Sequence, residues 1–332
     1  MSDGDSCSLD YHEQGDDETL KQMRELMENS FDDEEEFINY YFEEKIKENK
    51  VLVARVDGEF AGMLHLCPRE ILVLGKSVKC YYLARGAVKK AYREHGVMHA
   101  MLSRATEDMK NEGCLFAYLV PEHEEYYEEL GFRTVYETVE LDLDLMNVED
   151  EDQVPDDLSG EHGYYAVRLR DMDDAALEEL ANALNKNLGA KYKVFAKRDV
   201  HVLKSMLKEH ISGNGGVVAI FEYGMGENGE DRLAGCFGYD VYDEAMYVER
   251  FVSFDYNVRY TLDVIMRFAE EAFCRRAVVT MSAAERCDDV YNMLGPAARI
   301  EDGRSFMLCN LETDARFSGE EFSGASFFDD LI

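Results

Sequence analysis

A basic turn that follows an apolar strand is the part of this sequence best suited to hold an anion. Residues 81–88 are mostly apolar, and the turn after them carries Lys89, Lys90, Arg93 and Gly96. Apolar residues then recur at helical spacing, which predicts a helix that begins directly after Gly96. The first N–H groups of a helix have no partner within it and carry about half a positive charge, so they bind phosphate well. The alternative is an ordinary strand-to-helix turn.

A tyrosine and a glutamate further along could supply the proton transfers of a reaction. Tyr127 stands four residues before Gly131, and Glu124 lies one helical turn before Tyr127 on the same face. A tyrosine with a pKa of about 10 is protonated at neutral pH and can give a proton to a leaving group. The glutamate could bind or deprotonate an amine. The alternatives are a packing role for Tyr127 and a solvated helix face for Glu124.

These residues and their spacing resemble the GNAT superfamily of acetyl-CoA-dependent N-acetyltransferases. The pyrophosphate loop of that superfamily runs Arg/Gln-x-x-Gly-x-Gly/Ala, and the matching residues here are Arg93, Glu94, His95, Gly96, Val97 and Met98. The later segment Tyr-x-x-x-Gly-Phe matches Tyr127 to Phe132. Met98 departs from the small residue of the general pattern. Two bulky residues after the glycine, and the run Pro-x-x-Glu-x-x-Tyr that starts at Pro121, are similar instead to the enhanced-intracellular-survival type of bacterial acetyltransferase.

The resemblance implies a role for each of these residues. Acetyl-CoA would be the co-substrate, with its pyrophosphate on the backbone of residues 93–98 and its pantetheine arm along Ala87 and Val88, whose N–H would hold the thioester oxygen. Tyr127 would be the acid that protonates the leaving thiolate. The base is not readable from local sequence. Glu124 is one candidate, and the terminal carboxylate of Ile332 is the other, because the resembled enzymes use their chain end in this way and an apolar Leu-Ile end favours burial.

The elements around these residues predict a mixed α/β fold in two tandem domains. Apolar runs at residues 51–56, 60–66 and 71–74 predict strands before the one that leads to the basic turn. We expect residues 1–150 to form a GNAT domain that binds acetyl-CoA. Residues 161–312 would form a degenerate GNAT-like copy, joined by an acidic linker near 152–161, and residues 313–332 a tail that could reach the active site.

The copy in the second half is predicted from the order of its elements and from what it lacks. Leu233-Ala234-Gly235 parallels Phe60-Ala61-Gly62, and Tyr291 stands four residues before Gly295 as Tyr127 does before Gly131. The stretch 253–259, which takes the place of the basic turn, has no glycine and carries Asp255. Because a carboxylate repels pyrophosphate, we expect this half not to bind the cofactor.

Composition limits the partners. The 332 residues include 35 Lys and Arg against 70 Asp and Glu, a formal charge of −35. Such a surface repels nucleic acid and anionic lipid and attracts cationic amines, although acidic charge can also serve solubility alone. The acidic N-terminus is unlike a signal peptide, so we expect a cytoplasmic protein. The 8 cysteines are scattered and favour reduced thiols, and His95 and His99 have no evident third ligand, so no metal is expected.

The sequence therefore supports an acetyl-CoA-dependent N-acetyltransferase that moves the acetyl group directly to a primary amine, with a small cationic acceptor favoured by the charge. The alternative is a non-catalytic acetyl-CoA-binding or interaction module that keeps the GNAT fold. The sequence leaves the identity of the amine and the oligomeric state open, and a homo-oligomer is one alternative.

Overall fold

A computed structural model describes residues 6–146, 163–226, 229–254, 258–283, 298–311 and 326–327. The chain divides into two compact units. The first unit comprises Met1–Tyr136, Lys193–Ala196 and Ser305–Ile332, and the second comprises Glu137–Tyr192 and Lys197–Arg304. The predicted linker near 152–161 lies outside the described residues, as do Asp255, Tyr291 and Gly295.

The elements follow a similar order in both halves of the chain, and the second half has an additional short strand, Val194–Ala196, between its first two helices. In the first half they are β1 (Cys7–Tyr11), α1 (Asp17–Glu28), α2 (Glu35–Glu43), β2 (Lys50–Val56), β3 (Glu59–Val73), β4 (Lys76–Val88), α3 (Val97–Asn111), β5 (Phe116–Leu119), α4 (Glu124–Glu128) and β6 (Arg133–Asp144). In the second half they are β7 (Tyr164–Arg168), α5 (Asp174–Lys191), β8 (Val194–Ala196), α6 (Val200–Ser212), β9 (Gly216–Glu222), β10 (Arg232–Tyr242), β11 (Ala245–Ser253), α7 (Val258–Glu271), β12 (Arg276–Ser282), β13 (Ala298–Asn310) and β14 (Ser326–Phe327).

The first unit is a mixed sheet with helices on both faces. Its strands lie in the order β1-β2-β3-β4-β5-β13. β4 and β5 are parallel, and the other neighbours pair antiparallel. Helices α1 and α2 pack on one face through Met23, Tyr41 and Phe42, and α3 packs on the other through Met101 and Leu102. The two faces of β4 are therefore buried in two separate cores.

One strand prediction was wrong. The sequence predicted two strands at residues 60–66 and 71–74, whereas β3 is continuous over 15 residues and includes Pro68. Pro68 is tolerated because β2 pairs with β3 only as far as Leu66, so at Pro68 the strand has β4 as a neighbour on one side and needs fewer ladder hydrogen bonds.

The second unit repeats the sheet of the first. Its strands lie in the order β6-β12-β11-β10-β9-β7, and β11 and β12 are again the parallel pair. Close backbone packing fixes the correspondence. A Cβ on Gly62 would lie 2.8 Å from the carbonyl oxygen of Ala87, and a Cβ on Gly235 would lie 2.9 Å from that of Val252. Gly62 therefore corresponds to Gly235, and Ala87 to Val252, as the two Ala-Gly sequences suggested.

The two halves of the chain exchange their last strands. In the first unit β5 pairs with β13, at Phe116–Leu119 against Met307–Asn310, although β13 comes from the end of the chain. In the second unit β12 pairs with β6, at Arg276–Ser282 against Thr138–Asp144, although β6 comes from the first half. Each unit is therefore completed by a strand that the other half of the sequence supplies.

We expect a fragment of residues 1–150 not to fold as an independent domain. It lacks Met307, Cys309 and Leu311, which are buried in the core beneath α3. Burial of a Met or Leu side chain is worth about 1.5–3 kcal/mol each, against a total stability of about 5–15 kcal/mol. The measurement is cooperative thermal unfolding followed by circular dichroism.

The control for that experiment is the same fragment with residues 305–311 attached through a flexible linker. This version should regain part of the cooperative transition, because β5 then has its partner strand. A bare fragment that unfolds as cooperatively as the full chain, and at the same temperature, would show that the exchanged strand is dispensable.

Candidate active site

The predicted anion site is formed by the turn between β4 and α3. Gly96 occupies the N-cap position with φ +77°, a left-handed conformation that glycine adopts without strain. No side chain caps the helix, and its first turn carries no acidic residue. The N–H of Ala100 bonds to the Gly96 carbonyl at 2.9 Å, so the N–H groups of residues 97–99 precede the first helical bond. The turn therefore presents donors and the positive end of a helix.

The side chain of Arg93 connects this turn to the end of β4. Its Nε donates to the carbonyl oxygen of Val88 at 3.0 Å, while the residue remains exposed. His95 Nδ1 lies 2.7 Å from the carbonyl oxygen of Arg93, and Glu94 takes a positive φ of 62°. A cation thus stands beside the helix N-terminus, as a phosphate site requires.

The backbone of β4 has an open side next to this turn. β4 pairs with β5 at Tyr81, Tyr82 and Leu83, and then continues to Val88. Ala87 and Val88 pair with Met63 and Gly62 of β3, and their side chains are buried in the two opposite cores. On the side of β5, residues 84–88 extend beyond the last paired residue, so those of their backbone groups that point away from β3 can bind a ligand that lies along the strand.

Met98, which departs from the general loop pattern, fills a space above Gly86. A Cβ on Gly86 would lie 3.2 Å from Met98 Cε and 3.3 Å from Leu64 Cδ1. Met98 also packs against the core beneath α3. The bulky residue after the turn is therefore accommodated by a glycine on the neighbouring strand, ten residues earlier than the turn itself.

Tyr127 lies on the short helix α4 and is half-buried. Its ring meets Phe132 edge to face at a centroid distance of 6.1 Å, and it packs on the same core as Met98. Burial, with a smaller contribution from the charge of Glu122, raises the pKa of Tyr127, which keeps the phenol protonated. The neighbouring Tyr126 is 72% exposed.

Of the two candidate bases, the structure describes one. Glu124 accepts a hydrogen bond from Thr134 Oγ1 at 3.1 Å and begins α4. Ile332 lies outside the described residues. The nearest described part of the tail is β14, which pairs in parallel with β8, and β8 in turn pairs antiparallel with β3.

Three residues beside the predicted site were missed by sequence reasoning. Arg85 takes a φ of 48° in β4 and forms a buried ion pair with Asp33. His65 of β3 is fully buried on the same face of the sheet. A glycine inside a predicted strand often marks a bulge, so the Arg85-Gly86 pair was the available signal.

His65 is held neutral by its surroundings. Asn49 Nδ2 donates to Tyr41 Oη at 3.1 Å, so the Tyr41 hydroxyl donates to His65 Nδ1, 2.7 Å away. The proton of the imidazole then sits on Nε2, 3.4 Å from Met63 Sδ. Burial, and to a smaller degree the charge of Arg85, lowers the pKa of His65 to about 3.

None of the helices in the described ranges combines the length and hydropathy that a membrane span requires. Within those ranges no three His, Cys, Asp or Glu side chains are grouped as metal ligands.

Comparison with known proteins identifies the fold. Residues 12–135 match the family model of the acetyltransferase (GNAT) domain. No curated protein matches the sequence. The structure is similar to that of a conserved protein from Enterococcus faecalis V583 described as a probable N-acyltransferase, with a TM-score of 0.69, 15% identity, and coverage of 93% of this chain and 73% of that chain.

Two further structures have a similar fold over most of this chain. Eis1 from Mycobacterium abscessus has a TM-score of 0.58 and 11% identity, with coverage of 93% of this chain and 74% of that chain. A tandem GNAT protein from the clavulanic acid biosynthesis pathway has a TM-score of 0.58 and 12% identity, with coverage of 93% of this chain and 100% of that chain. These likenesses concern the fold, and they confirm the prediction of two tandem GNAT-like domains in a mixed α/β fold.

The buried His65 should make the protein less stable in mild acid. The pKa of His65 is about 3 in the folded protein and 6.5 in the unfolded chain. Below pH 6.5 the unfolded chain therefore binds a proton that the folded protein does not bind. The free energy of unfolding should fall by up to about 1.4 kcal/mol per pH unit as the pH drops from 6.5 toward 3, and this loss is absent above 6.5.

The measurement is urea unfolding at several pH values for the wild type and for His65→Gln. Glutamine keeps a polar group near Tyr41 but does not titrate, so the variant should show a shallower pH dependence in this window. Equal slopes in the two proteins would mean that the pKa of His65 is the same in the folded and unfolded states.

Proposed function

From the match of residues 12–135 to the acetyltransferase (GNAT) domain model, we propose that the chain transfers an acetyl group from acetyl-CoA directly to a primary amine. The observation that carries the proposal is the combination, in one unit, of an uncapped helix N-terminus at Gly96 and an open backbone edge at Ala87 and Val88. An anionic pyrophosphate fits the first and an amide-containing arm fits the second.

The residues of the turn would hold the co-substrate as follows. The N–H groups of Val97 and Met98 would donate to the pyrophosphate, and Arg93 would add a full positive charge while its Nε stays on the Val88 carbonyl. The pantetheine arm would lie along Ala87 and Val88, with the Val88 N–H directed at the thioester oxygen, while the Ala87 carbonyl faces Gly62 of β3. Glu94 and His95 would contribute through the backbone conformation of the turn.

Acetyl-CoA supplies an activated acyl group, and the protein would supply the proton transfers. A base must take a proton from the substrate ammonium before the nitrogen can attack, and an acid must protonate the departing sulfur. Tyr127 is suited to the second task because burial keeps its phenol protonated. The phenol would give its proton to the thiolate and recover it from the base through solvent or product.

For the base, Glu124 and Ile332 both remain candidates. β14 is parallel to β8, β8 is antiparallel to β3, and β3 is antiparallel to β4. The chain in β14 therefore runs the same way as the chain in β4. Phe327 lies level with Ser77 of β4 through these pairings. Five further residues span at most about 17 Å when extended, a distance that corresponds to the level of Tyr82, one residue before β4 leaves β5. This direction supports Ile332.

The acceptor we propose is a small cationic amine. The formal charge of −35 attracts cations to the protein from a distance. Long-range attraction of this kind raises the encounter rate with amines and leaves anionic acceptors at a disadvantage.

The second unit would not bind the cofactor. Its correspondence with the first places Phe251 where the first unit has Gly86, and Phe251 is fully buried. The space that Gly86 leaves on β4 is therefore occupied by a ring on β11. Together with the missing glycine between residues 253 and 259, this supports one acetyl-CoA per chain.

Changes in the turn should weaken acetyl-CoA binding. Arg93→Ala removes a charge-assisted contact to phosphate worth about 1.5–3 kcal/mol, which corresponds to about 10- to 150-fold in Kd. Gly96→Asp forces a left-handed conformation on a side chain and adds a negative charge at the anion site. Calorimetry with acetyl-CoA should give one site per wild-type chain and weaker binding in both variants. Unchanged affinity in both would refute the assignment of the turn.

Removal of the Tyr127 hydroxyl should reduce turnover while binding remains. Tyr127→Phe keeps the edge-to-face contact with Phe132 and should lower kcat by about 10²- to 10⁴-fold with little change in the Kd for acetyl-CoA. Tyr126→Phe is the matched control, because Tyr126 is exposed and should be neutral. Thiol release over a panel of primary amines measures both.

The same assay separates the enzyme from a non-catalytic binding module. Tight binding of acetyl-CoA by the wild type without thiol release for any amine of the panel would favour the binding module. Equal losses in the Tyr126 and Tyr127 variants would mean that the hydroxyl of Tyr127 is not the acid.

A further inference from the structure

An arginine occupies the irregular position of β4, directly before the backbone that faces the cofactor. The pairing of β3 with β4 steps from Met63 opposite Ala87 to His65 opposite Ala84. Leu64 therefore faces both Arg85 and Gly86, which makes a β-bulge. Arg85 has a φ of 48°, and a left-handed conformation is unfavourable for a residue of this kind unless its surroundings hold it.

Contacts of the Arg85 side chain stabilise this backbone conformation. The side chain forms an ion pair with Asp33, in which the side chains are 9% and 18% exposed. The guanidinium also lies over the rings of Phe31 and Phe37 at 5.0 and 5.1 Å from their centroids. Asp33 and Phe31 belong to the segment between α1 and α2, and Phe37 belongs to α2. One side chain thus joins the bulge of β4 to the helical layer on that face.

The second unit also has a bulge with an arginine that is paired with an acidic residue. Arg250 of β11 has a φ of 53° at a step in the pairing with β10, and it forms an ion pair with Glu209 of α6 whose side chains are 8% and 11% exposed. Because Ala87 corresponds to Val252, Arg85 corresponds to Arg250. The arginine and its acid accompany the bulge in a unit that has no glycine turn, so their direct task is to hold the bulge.

We propose that Arg85, through Asp33, is a positioning residue for acetyl transfer. By holding the bulge it sets the direction of the Ala87 and Val88 backbone groups relative to the Gly96 turn. The inference rests on the proposed function, since it is the cofactor that those backbone groups would hold. Arg85 is not a catalytic residue, because its guanidinium is engaged with Asp33 and the two phenylalanine rings.

The test compares equivalent arginines in the two units of the full-length protein. Arg85→Met and Arg250→Met each remove one partner of a buried ion pair, and each should lower Tm. Arg85→Met should also raise the Kd for acetyl-CoA about tenfold and lower kcat/KM about 100-fold, since a displacement of about 1 Å has effects of this size. Arg250→Met should leave both quantities at the wild-type value.

Two further variants separate positioning from stability. Arg85→Lys keeps the charge beside Asp33 and should restore most of the affinity. The double variant Arg85→Met with Asp33→Leu removes the unpaired carboxylate, so it should regain Tm but not kcat/KM. Amide hydrogen exchange of the N–H groups of residues 86–88 should be faster in Arg85→Met than in the wild type and in Arg250→Met.

The outcomes distinguish this inference from the proposed function. A wild type that binds acetyl-CoA, together with an Arg85→Met protein of unchanged Kd, kcat/KM and exchange, would overturn the positioning role alone. Equal losses in Arg250→Met would overturn it too, because the effect would then follow general stability. A wild type that neither binds acetyl-CoA nor releases thiol would overturn the proposed function and this inference with it.

Discussion

Two parallel strands that stop pairing before one of them ends leave a stretch of strand backbone unpaired on one side in the described part of the first unit. β4 leaves β5 after Leu83 and continues for five residues with a β-bulge at Arg85 and Gly86. Backbone groups in this stretch need partners, and a ligand that lies along the strand can provide them. The end of this strand also sets the position of the groups that come next in the chain. These are the side chain of Arg93, the glycine turn and the start of α3.

The same constraint explains the difference between the two units. Both have a parallel pair, a bulged strand and a buried arginine paired with an acid at the bulge. The first unit follows its arginine with Gly86 and ends its strand in a basic turn, whereas the second follows its arginine with the buried Phe251. A shared framework is compatible with a binding edge in one unit and with a filled core in the other.

The sequence predicted the parts of the site that depend on neighbours in the chain. The turn at Gly96 and the helix that begins after it follow from residue types at fixed spacing, and the structure has both features. Parts that depend on distant residues were not predictable in this way. Nothing near Arg85 in the sequence indicates that its partner is Asp33, and no local pattern shows that β5 pairs with residues 307–310. The continuous strand through Pro68 was missed for a similar reason, since proline is acceptable there because of where β2 ends.

The exchanged strands have a consequence during synthesis. The first unit is complete only when residues 305–311 have left the ribosome, after all of the second unit has been made. At about 5–20 residues per second, that interval is on the order of 10 to 30 seconds. For this time β5 is an unprotected edge strand in the nascent chain, and an unprotected edge invites pairing with other chains. Production of the protein should therefore depend on what shields the nascent N-terminal half. Rare codons in the second half, or substitutions in residues 305–311 that weaken the pairing with β5, would affect the folding of residues that were translated long before.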